Sequence, residues 1–392
     1  RQRLDEHPVI AEHLEHSVPA DLNISFSEFF SQQLMDFSTT KPRLLLPEEG
    51  FLSQKAREAG IEVLVLPSYI RFGERHGLST LHRILASAGR VSRILKNKNI
   101  DILHCNAPRA AYIAGISAKL SGIPLIAHVR DIHLSPFSRA VQGRYLGYMS
   151  DSIIAVSQAT KDSILKFRPE LAPKVSVVYN GIDFKKISAG HGYRIRAELG
   201  LTPDMSVIGC VGILETVKGQ DVLIRASIEI KREIPGLKVL IVGDSFSDEG
   251  DSFKHKLGEM VKRSGLEETI LFTGFRSDVY DVMEAMDLYV HPAVYPDPFP
   301  RSLLEAAALG RSIISTRVGG VPELLDDGDS AVMVPPEDAP ALARAVIRLL
   351  RDREEACRLA RNAQKKVQEN FTVESHVEKV AKVYDRFLVQ RS

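Results

Sequence analysis

The chain has few of the residues that mark a disulfide-stabilised or zinc-binding protein. Its 392 residues include only three cysteines, Cys105, Cys210 and Cys357, which lie far apart and form no CxxC pair. Zinc sites and disulfide frameworks both need cysteines in closer, recurring spacings. The sequence therefore predicts free thiols in a reducing compartment, and neither kind of stabilising site.

Long apolar runs and a strong charge bias are also missing. No run approaches the roughly 20 apolar residues that cross a bilayer, and the first residues, RQRLDEHPVI, lack the apolar core of a signal peptide. The formal net charge is only +1, with 26% charged residues, which gives no bias toward nucleic acid. We therefore expect a soluble, cytoplasmic protein with no nucleic-acid partner.

Two common nucleotide-binding signatures do not occur. The sequence contains no GxGxxG loop and no GxxxxGK[ST] loop. The first absence argues against a nicotinamide-dependent oxidoreductase and the second against a P-loop enzyme, although neither excludes a nucleotide ligand.

What is present is a repeated α/β pattern. Single cores stop growing at about 250 to 300 residues, so 392 residues predict two domains. Short apolar runs alternate with helical stretches from about residue 41, and the pattern restarts after a polar segment near 184–200. This is typical of doubly wound parallel sheets. We predict domains at 1–184 and 185–371, with a last helix in 372–392.

The strand predictions follow from these apolar runs. They are 43–47, 61–67, 100–105, 123–129, 152–157 and 175–181 in the first domain, and 206–212, 237–243, 269–274, 288–292, 312–317 and 331–335 in the second.

One segment, 296–325, joins two acids to a short helix. Within PDPFPRSLLEAAALG, the run RSLLEAAAL is a strong helix former with proline before it and glycine after it. We expect the amides near Arg301, Ser302 and Leu303 to lack partners inside the helix, which suits a phosphate.

Asp297 and Glu305 flank that helix start. Eight helical residues span about 12 Å and turn by about 80°, so these acids cannot act on one atom as a glycosidase pair does at about 5 to 9 Å. We interpret them as holding two ends of one long ligand, with a sugar at Asp297, a diphosphate at the helix start and a ribose at Glu305.

Five segments carry a resemblance to a known family. They are VVYNGID, VGILETVKGQDVLIRA, ILFTGFRSDV, DPFPRSLLEAAALG and STRVGGVPELLDDGDSAVMVPPED. In this order they resemble the motifs of the family-four retaining glycosyltransferases, over roughly residues 41 to 390. The resemblance implies the GT-B fold, in which two Rossmann-like domains face each other across a cleft.

The same resemblance implies an activity. A sugar would pass from a UDP- or GDP-sugar to a glycan, lipid-linked or small-molecule acceptor, with retention at the anomeric carbon and without a metal or other cofactor. A place in cell-envelope polysaccharide synthesis would follow.

The resemblance also implies a donor site in the second domain. Glu305 matches the acid that holds the ribose, Asp297 the acid that contacts the transferred sugar, and Lys218 the lysine that grips the diphosphate. A fixed cation there stabilises the leaving group as its charge grows. The other implied donor-binding residues are Gly212, Gly274, Phe275, Arg276, Phe299, Arg301, Ser302 and Leu303.

Three positions depart from the family pattern. Asp297 stands where glutamate is usual, Pro300 follows Phe299 where glycine is common, and Ile213 replaces an arginine. The last change removes half of the expected diphosphate clamp, and Arg276 is the candidate to replace it.

In the first domain the resemblance implies His128 and Arg130 as catalytic residues on the acceptor side. Arg130 stands where the family often has a histidine, and a guanidinium suits an acidic acceptor or a donor phosphate. A purely structural role for both is an equal alternative. Residues 1–40 contain no glycine, so the family's Gly-Gly loop is missing, and DLNISF at 21–26 is the candidate first strand.

A basic stretch at 71–98 has only one acid, Glu74. A solvated face is one interpretation, and contact with an anionic membrane is the other. Its basic residues are Arg71, Arg75, Arg83, Arg90, Arg93, Lys96 and Lys98.

Other interpretations of the site residues stay open. Ile213 and the missing Gly-Gly loop also fit a catalytically impaired nucleotide-sugar-binding protein of the same fold. Lys218 could have no role beyond beginning a helix, and Asp297 none beyond capping a turn. Gly319 with Gly320 could serve either a tight turn or close backbone approach to a ligand.

Overall fold

The computed structural model describes residues 7–12, 40–46, 49–66, 78–106, 108–132, 136–187 and 190–388. They belong to two compact units. The first comprises Arg1–Tyr179 and Val373–Ser392, and the second Asn180–Thr372. The sequence analysis placed the boundary at position 184, and in the structure it falls a few residues earlier.

The first unit is built on a seven-stranded parallel sheet of order β3-β2-β1-β4-β5-β6-β7. Its strands are β1 (His7–Glu12), β2 (Thr40–Leu46), β3 (Glu62–Val65), β4 (Ile102–Cys105), β5 (Leu125–Val129), β6 (Ser152–Ala155) and β7 (Val175–Val177). Its first helices are α1 (Phe51–Glu58), α2 (Leu78–Asn97), α3 (Pro108–Ser121), α4 (Pro136–Met149) and α5 (Gln158–Leu165).

The central strand β1 corrects one expectation. We expected the first strand at 21–26, a segment outside the described residues. The strand that lies between β2 and β4 is HPVIAE, His7–Glu12, and pairs in parallel with both neighbours. The sheet therefore has a first strand, earlier in the chain than predicted.

The second unit has a six-stranded parallel sheet of order β10-β9-β8-β11-β12-β13. Its strands are β8 (Ser206–Val211), β9 (Leu237–Val242), β10 (Ile270–Gly274), β11 (Leu288–His291), β12 (Ser312–Thr316) and β13 (Val332–Val334). Its helices are α6 (Gly192–Glu198), α7 (Gln220–Glu233), α8 (Asp248–Arg263), α9 (Val279–Ala285), α10 (Arg301–Ala308), α11 (Val321–Leu324), α12 (Ala339–Arg351) and α13 (Arg353–Asn370).

The last helix, α14 (Val373–Leu388), belongs to the first unit. It covers one face of the first sheet, while helices including α2 and α3 cover the other. Because both faces are buried, the strands consist of nearly continuous apolar residues. The face under α14 is formed by Ile102, Ile126 and Ile154, which pack on Val380, Val383, Tyr384 and Leu388.

The α/β fold class with two doubly wound parallel sheets is therefore confirmed. In the second sheet the order reverses between β8 and β11, because β9 and β10 lie on one side of β8 while β12 and β13 lie beyond β11. Ligands of such sheets bind beyond the carboxyl ends of the strands at this switch point. Residues that follow β8 and β11 are thus the ones to consider first.

Three observations concern the described part of the chain alone. Cys105, Cys210 and Cys357 are free thiols, the first two buried and the third exposed. Among the residues described, no helix is both long and apolar enough to cross a membrane. Nor do the described side chains contain a group of three or more His, Cys, Asp or Glu that could hold a metal ion.

Candidate functional site

Lys218 and Asp297 meet at the switch point of the second sheet. Lys218 ends a short 3-10 turn after β8, and Asp297 lies in the loop after β11. The Lys218 Nζ donates a hydrogen bond to Asp297 Oδ2 at 2.7 Å. Gly219 makes this approach possible, since a Cβ there would lie 2.0 Å from the Pro292 carbonyl oxygen. The two loops are therefore packed backbone against backbone.

Asp297 is a buried, ionised acid. Its exposed fraction is only 8%. Burial alone would raise the pKa of Asp297, but the ammonium of Lys218 and the neighbouring His291 outweigh it, so the pKa lies below its ordinary value. The resting site thus holds a carboxylate whose main charge partner is one lysine.

His291 is a site residue that the sequence analysis missed. It is the last residue of β11, and its Nε2 lies 3.8 Å from Asp297 Oδ2. This Nε2 atom is buried, and no atom of the described residues is its hydrogen-bond partner. Burial lowers the pKa of His291 to about 4, with Lys218 lowering it further and Asp297 opposing the change. The imidazole is therefore neutral near pH 7. The available signal was LYVHP, a histidine at the carboxyl end of a switch-point strand.

The glycine pair after β12 presses against Asp297. The Gly320 amide donates to the Asp297 carbonyl oxygen at 2.8 Å. Gly319 has φ +54°, and a Cβ there would lie 2.0 Å from the same oxygen. The structure thus shows the pair in close contact with the Asp297 backbone, and this contact does not decide between a tight turn and close approach to a ligand.

Helix α10 places Glu305 beside Arg301. The Arg301 Nε donates to Glu305 Oε1 at 2.8 Å, and Glu305 is buried although it is an acid in an alanine-rich helix. The expectation for the Leu303 amide is wrong, because this amide donates to the Pro300 carbonyl at 3.2 Å inside the helix, and the Leu303 side chain is fully buried. Ser302 contributes a side-chain hydrogen bond to buried Tyr289.

Phe299 is a core residue in this structure. Its ring packs edge-on against Phe371, with the centroids 5.4 Å apart, and its carbonyl accepts a hydrogen bond from Asn180 Nδ2 at 3.4 Å. The side chain is buried. Any donor contact from this position would therefore come from the backbone.

Arg276, the candidate for the missing half of the diphosphate clamp, already has two ion pairs. Its guanidinium is bound by the carboxylates of Glu198 and Asp278, which raise its pKa. The arginine expected at position 213 is an isoleucine, whose backbone oxygen accepts from Gln220 Nε2 at 2.9 Å. The proposed replacement by Arg276 is therefore not supported by its ion pairs.

The other predicted donor residues lie at carboxyl ends of strands. Gly212 follows β8, and its amide donates to the Val242 carbonyl at 2.9 Å. Gly274 ends β10 with φ +69°, and Phe275 follows it, partly buried. Their predicted contacts with the nucleotide stay predictions.

His128 and Arg130 belong to a polar cluster in the first unit. Arg130 Nε donates to Asn106 Oδ1 at 2.9 Å, and its Nη2 lies 3.4 Å from His128 Nδ1. The His128 ring lies between those of His104 and His376, with centroids 5.4 and 6.1 Å away. Burial holds the pKa of His128 well below its ordinary value. Because His128 is completely buried, a structural role is favoured over a catalytic one.

Two family models match this chain. The model described as Glycosyltransferase Family 4 matches residues 44–186, and the one described as Glycosyl transferases group 1 matches residues 193–366. Their boundaries leave only a short segment between them, within the polar link that follows the first sheet.

Curated relatives are similar at moderate identity. The D-inositol 3-phosphate glycosyltransferase of Saccharomonospora viridis is 26% identical over 269 residues, which is 63% of this chain and 62% of that protein. The N-acetyl-alpha-D-glucosaminyl L-malate synthase of Bacillus anthracis is 27% identical over 310 residues, covering 76% and 78%. The chain spans less than two thirds of the length of the D-inositol 3-phosphate glycosyltransferases that it matches.

Solved structures share the architecture. Anabaena Alr3699/HepE in complex with UDP-glucose superposes with a TM-score of 0.83 at 22% identity, covering 97% of this chain and 99% of that one. A glycosyltransferase from Rickettsia africae gives a TM-score of 0.82 at 18% identity, covering 98% and 99%. At such identities the likeness shows the fold alone. With the two family models and the parallel sheets, it follows that the chain belongs to the family-four glycosyltransferases and has the GT-B fold.

Proposed function

We propose that the chain transfers a hexose from a UDP-sugar to an acceptor hydroxyl, with retention at the anomeric carbon. The observation that carries this proposal is the Lys218–Asp297 pair at the switch point between β8 and β11. We favour a UDP-sugar over a GDP-sugar as the donor because the structure of Anabaena Alr3699/HepE, a protein of the same fold, has been solved with UDP-glucose. The acceptor class stays a glycan, a lipid-linked sugar or a small molecule.

The donor would lie across groups of the second unit. Lys218 would bind the diphosphate, Asp297 the transferred sugar and Glu305 the ribose. The start of α10 would add amide dipoles at the phosphates. We propose that this cation and these dipoles, without a metal, stabilise the charge of the departing diphosphate.

The transfer itself needs no protein nucleophile. The bond between the anomeric carbon and the phosphate oxygen breaks, and the acceptor oxygen bonds to the same face of that carbon. The acceptor's hydroxyl proton passes to the departing phosphate oxygen. The role of the protein is then to orient both substrates and to stabilise the diphosphate.

A matched pair of lysine variants tests the donor site. Lys218→Met removes the ammonium at Asp297, whereas Lys366→Met breaks an exposed pair of the same length, 2.7 Å to Asp326, in the same unit. A charge-assisted hydrogen bond contributes about 1.5–3 kcal/mol, so we expect Lys218→Met to weaken UDP binding by about 10- to 100-fold. Calorimetric titration of UDP, GDP and ADP measures this. Equal affinities in both variants would contradict the proposed site.

Turnover requires its own measurement. Ile213, together with the ion pairs of Arg276, favours the alternative of a nucleotide-sugar-binding protein with impaired catalysis. Transfer or hydrolysis of UDP-hexoses over a panel of acceptors, followed by proton NMR of the anomeric coupling, tests both rate and stereochemistry. Donor binding without any turnover would support the alternative, and an inverted product would refute retention.

The basic stretch is a second, independent surface. We propose that its exposed part approaches anionic lipid at the inner face of the membrane. Arg90, Arg93 and Lys96 are exposed on α2. Lys98 is less available, because it forms a 2.5 Å ion pair with Glu62. Arg71, Glu74 and Arg75 lie outside the described residues, as does the side chain of Arg83.

Vesicle sedimentation tests this surface. Changing Arg90, Arg93 and Lys96 to glutamine should release the protein from phosphatidylserine vesicles, because each basic residue near such a surface contributes about 1 kcal/mol. Changing the exposed Arg361 and Lys365 of α13 should have little effect. Unchanged sedimentation of the first variant would support the solvated-face interpretation.

A further inference from the structure

In the proposed donor site, Asp297 and the donor diphosphate both require the ammonium of Lys218. In the structure the ammonium of Lys218 is bound to Asp297, which is buried. The proposed function gives the same ammonium to the donor diphosphate. When Lys218 turns toward the phosphate, Asp297 loses its main charge partner while it stays out of water. The backbone hydrogen bond from Phe299 remains, but a buried carboxylate without a compensating cation is strongly unfavourable, so another cation must compensate for it.

His291 is placed to do this. Its unpartnered Nε2 lies 3.8 Å from Asp297 Oδ2, on the strand that leads into the Asp297 loop. The charged groups that act on His291 are Lys218, from the turn after β8, and Asp297, from the loop after β11. From the loop after β12, Gly320 donates its backbone amide to the Asp297 carbonyl oxygen and contributes no charged side chain. A shortening of about 1 Å would give a charge-assisted hydrogen bond.

We propose that His291 is a positioning residue that binds Asp297 in place of Lys218 when Lys218 turns to the donor diphosphate. This inference rests on the proposed function. The imidazole takes up one proton from solvent, and its Nε2–H then donates to Asp297 Oδ2. The carboxylate keeps its position beside the transferred sugar, and the ammonium is released to the phosphates. Donor binding is thereby coupled to proton uptake.

The sign of the coupling follows from the two states. In the free protein Lys218 lies close by, and the pKa of His291 is about 4. Once the ammonium is neutralised by phosphate, the carboxylate acts on His291 without opposition and raises its pKa. Between the two pKa values the bound state then holds more protons than the free state, so donor affinity rises as the pH falls from the higher, bound-state pKa toward the free-state value.

The first experiment needs no donor. NMR titration of the imidazole signals gives the pKa of His291 in the parent, in Lys218→Met and in the control Lys366→Met. Removing the ammonium should raise this pKa by about 1–3 units, whereas the control and the exposed His255 should not change. An unchanged pKa of His291 in folded Lys218→Met would overturn the proposal.

The second experiment measures protons taken up on binding. UDP is titrated at about pH 6 into the parent and His291→Gln, in buffers with different ionisation enthalpies. The parent should take up more protons than His291→Gln, because a glutamine amide donates to a carboxylate without titrating, while the terminal phosphate of UDP titrates alike in both proteins. Equal uptake in both proteins with binding intact would contradict the exchange of Lys218 for His291 but not the donor site. Absence of any UDP binding would instead contradict the proposed function, and with it the exchange of Lys218 for His291.

Discussion

Replacing Gly319 by alanine tests the backbone contact that holds Asp297 in place. A Cβ at Gly319 would lie 2.0 Å from the Asp297 carbonyl oxygen, while real Cβ contacts essentially never fall below 3.0 Å. The two backbones must therefore separate by about 1 Å. That movement weakens the 2.8 Å hydrogen bond from the Gly320 amide to the same oxygen.

Gly328 provides the matched control. It also has a positive φ, +78°, but a Cβ there meets no atom within 4 Å. Alanine at either position pays about 1–2 kcal/mol for the left-handed conformation. Both substitutions restrict the unfolded chain equally, so this effect cancels in the comparison. Gly319→Ala alone also loses a hydrogen bond, worth about 0.5–1.5 kcal/mol.

The expected free energy of unfolding thus falls by about 1–2 kcal/mol in Gly328→Ala and by about 1.5–3.5 kcal/mol in Gly319→Ala. Urea unfolding measures the difference. A displacement of Asp297 by about 1 Å should also slow sugar transfer about 100-fold, whereas the control should turn over like the parent. If Gly319→Ala matches Gly328→Ala in both unfolding and turnover, then the glycine pair does not position Asp297.

Three further predictions concern charge. Lys218→Met should lower the free energy of unfolding by about 3 kcal/mol, because it removes the main charge partner of buried Asp297. Lys218→Met/Asp297→Asn should recover most of this loss, and equal urea unfolding of both variants would argue against a buried ion pair. Burial lowers the pKa of His376 from 6.5 to about 3, so only the unfolded state gains this proton between those pH values and stability falls with acid. His376→Asn should reduce that slope by up to about 1.4 kcal/mol per pH unit in urea unfolding. Arg276→Gln should change UDP affinity by less than about tenfold, because Glu198 and Asp278 already bind its guanidinium; a larger loss in calorimetry would bring the guanidinium into the donor site.

The strands could be predicted because both faces of each sheet are buried. IDILHC and LKVLIVG, for example, are apolar runs that become β4 and β9. The central strand β1 escaped prediction because HPVIAE carries only three consecutive apolar residues, between Pro8 and Glu12. A proline near the beginning of a strand is tolerated, but it makes the pattern indistinguishable from a loop.

The site was only partly predictable for a different reason. Lys218 was implied by the family resemblance, and Asp297 by its place beside the start of α10. Both follow strands, and the carboxyl ends of parallel strands meet at one edge. Their hydrogen bond depends on β8 and β11 being neighbours in the sheet, and no local sequence pattern predicts which strands are neighbours. The same holds for Arg276, whose partner Glu198 is distant in sequence. His291 was missed because a histidine in a strand has the same local pattern whether it packs in the core or faces a ligand.

The departure at position 213 and the presence of His291 are connected through charge. A site with two cations at the diphosphate could leave one of them on the acid that holds the sugar. With Ile213 in place of arginine and Arg276 bound by Glu198 and Asp278, the proposed donor site leaves Lys218 to bind Asp297 in the resting state and the diphosphate in the donor complex. In this proposal the neutral His291, 3.8 Å from Asp297, becomes the second cation only when the donor binds. The resting site then avoids an additional buried cation, and the loss of the family's arginine is compatible with turnover.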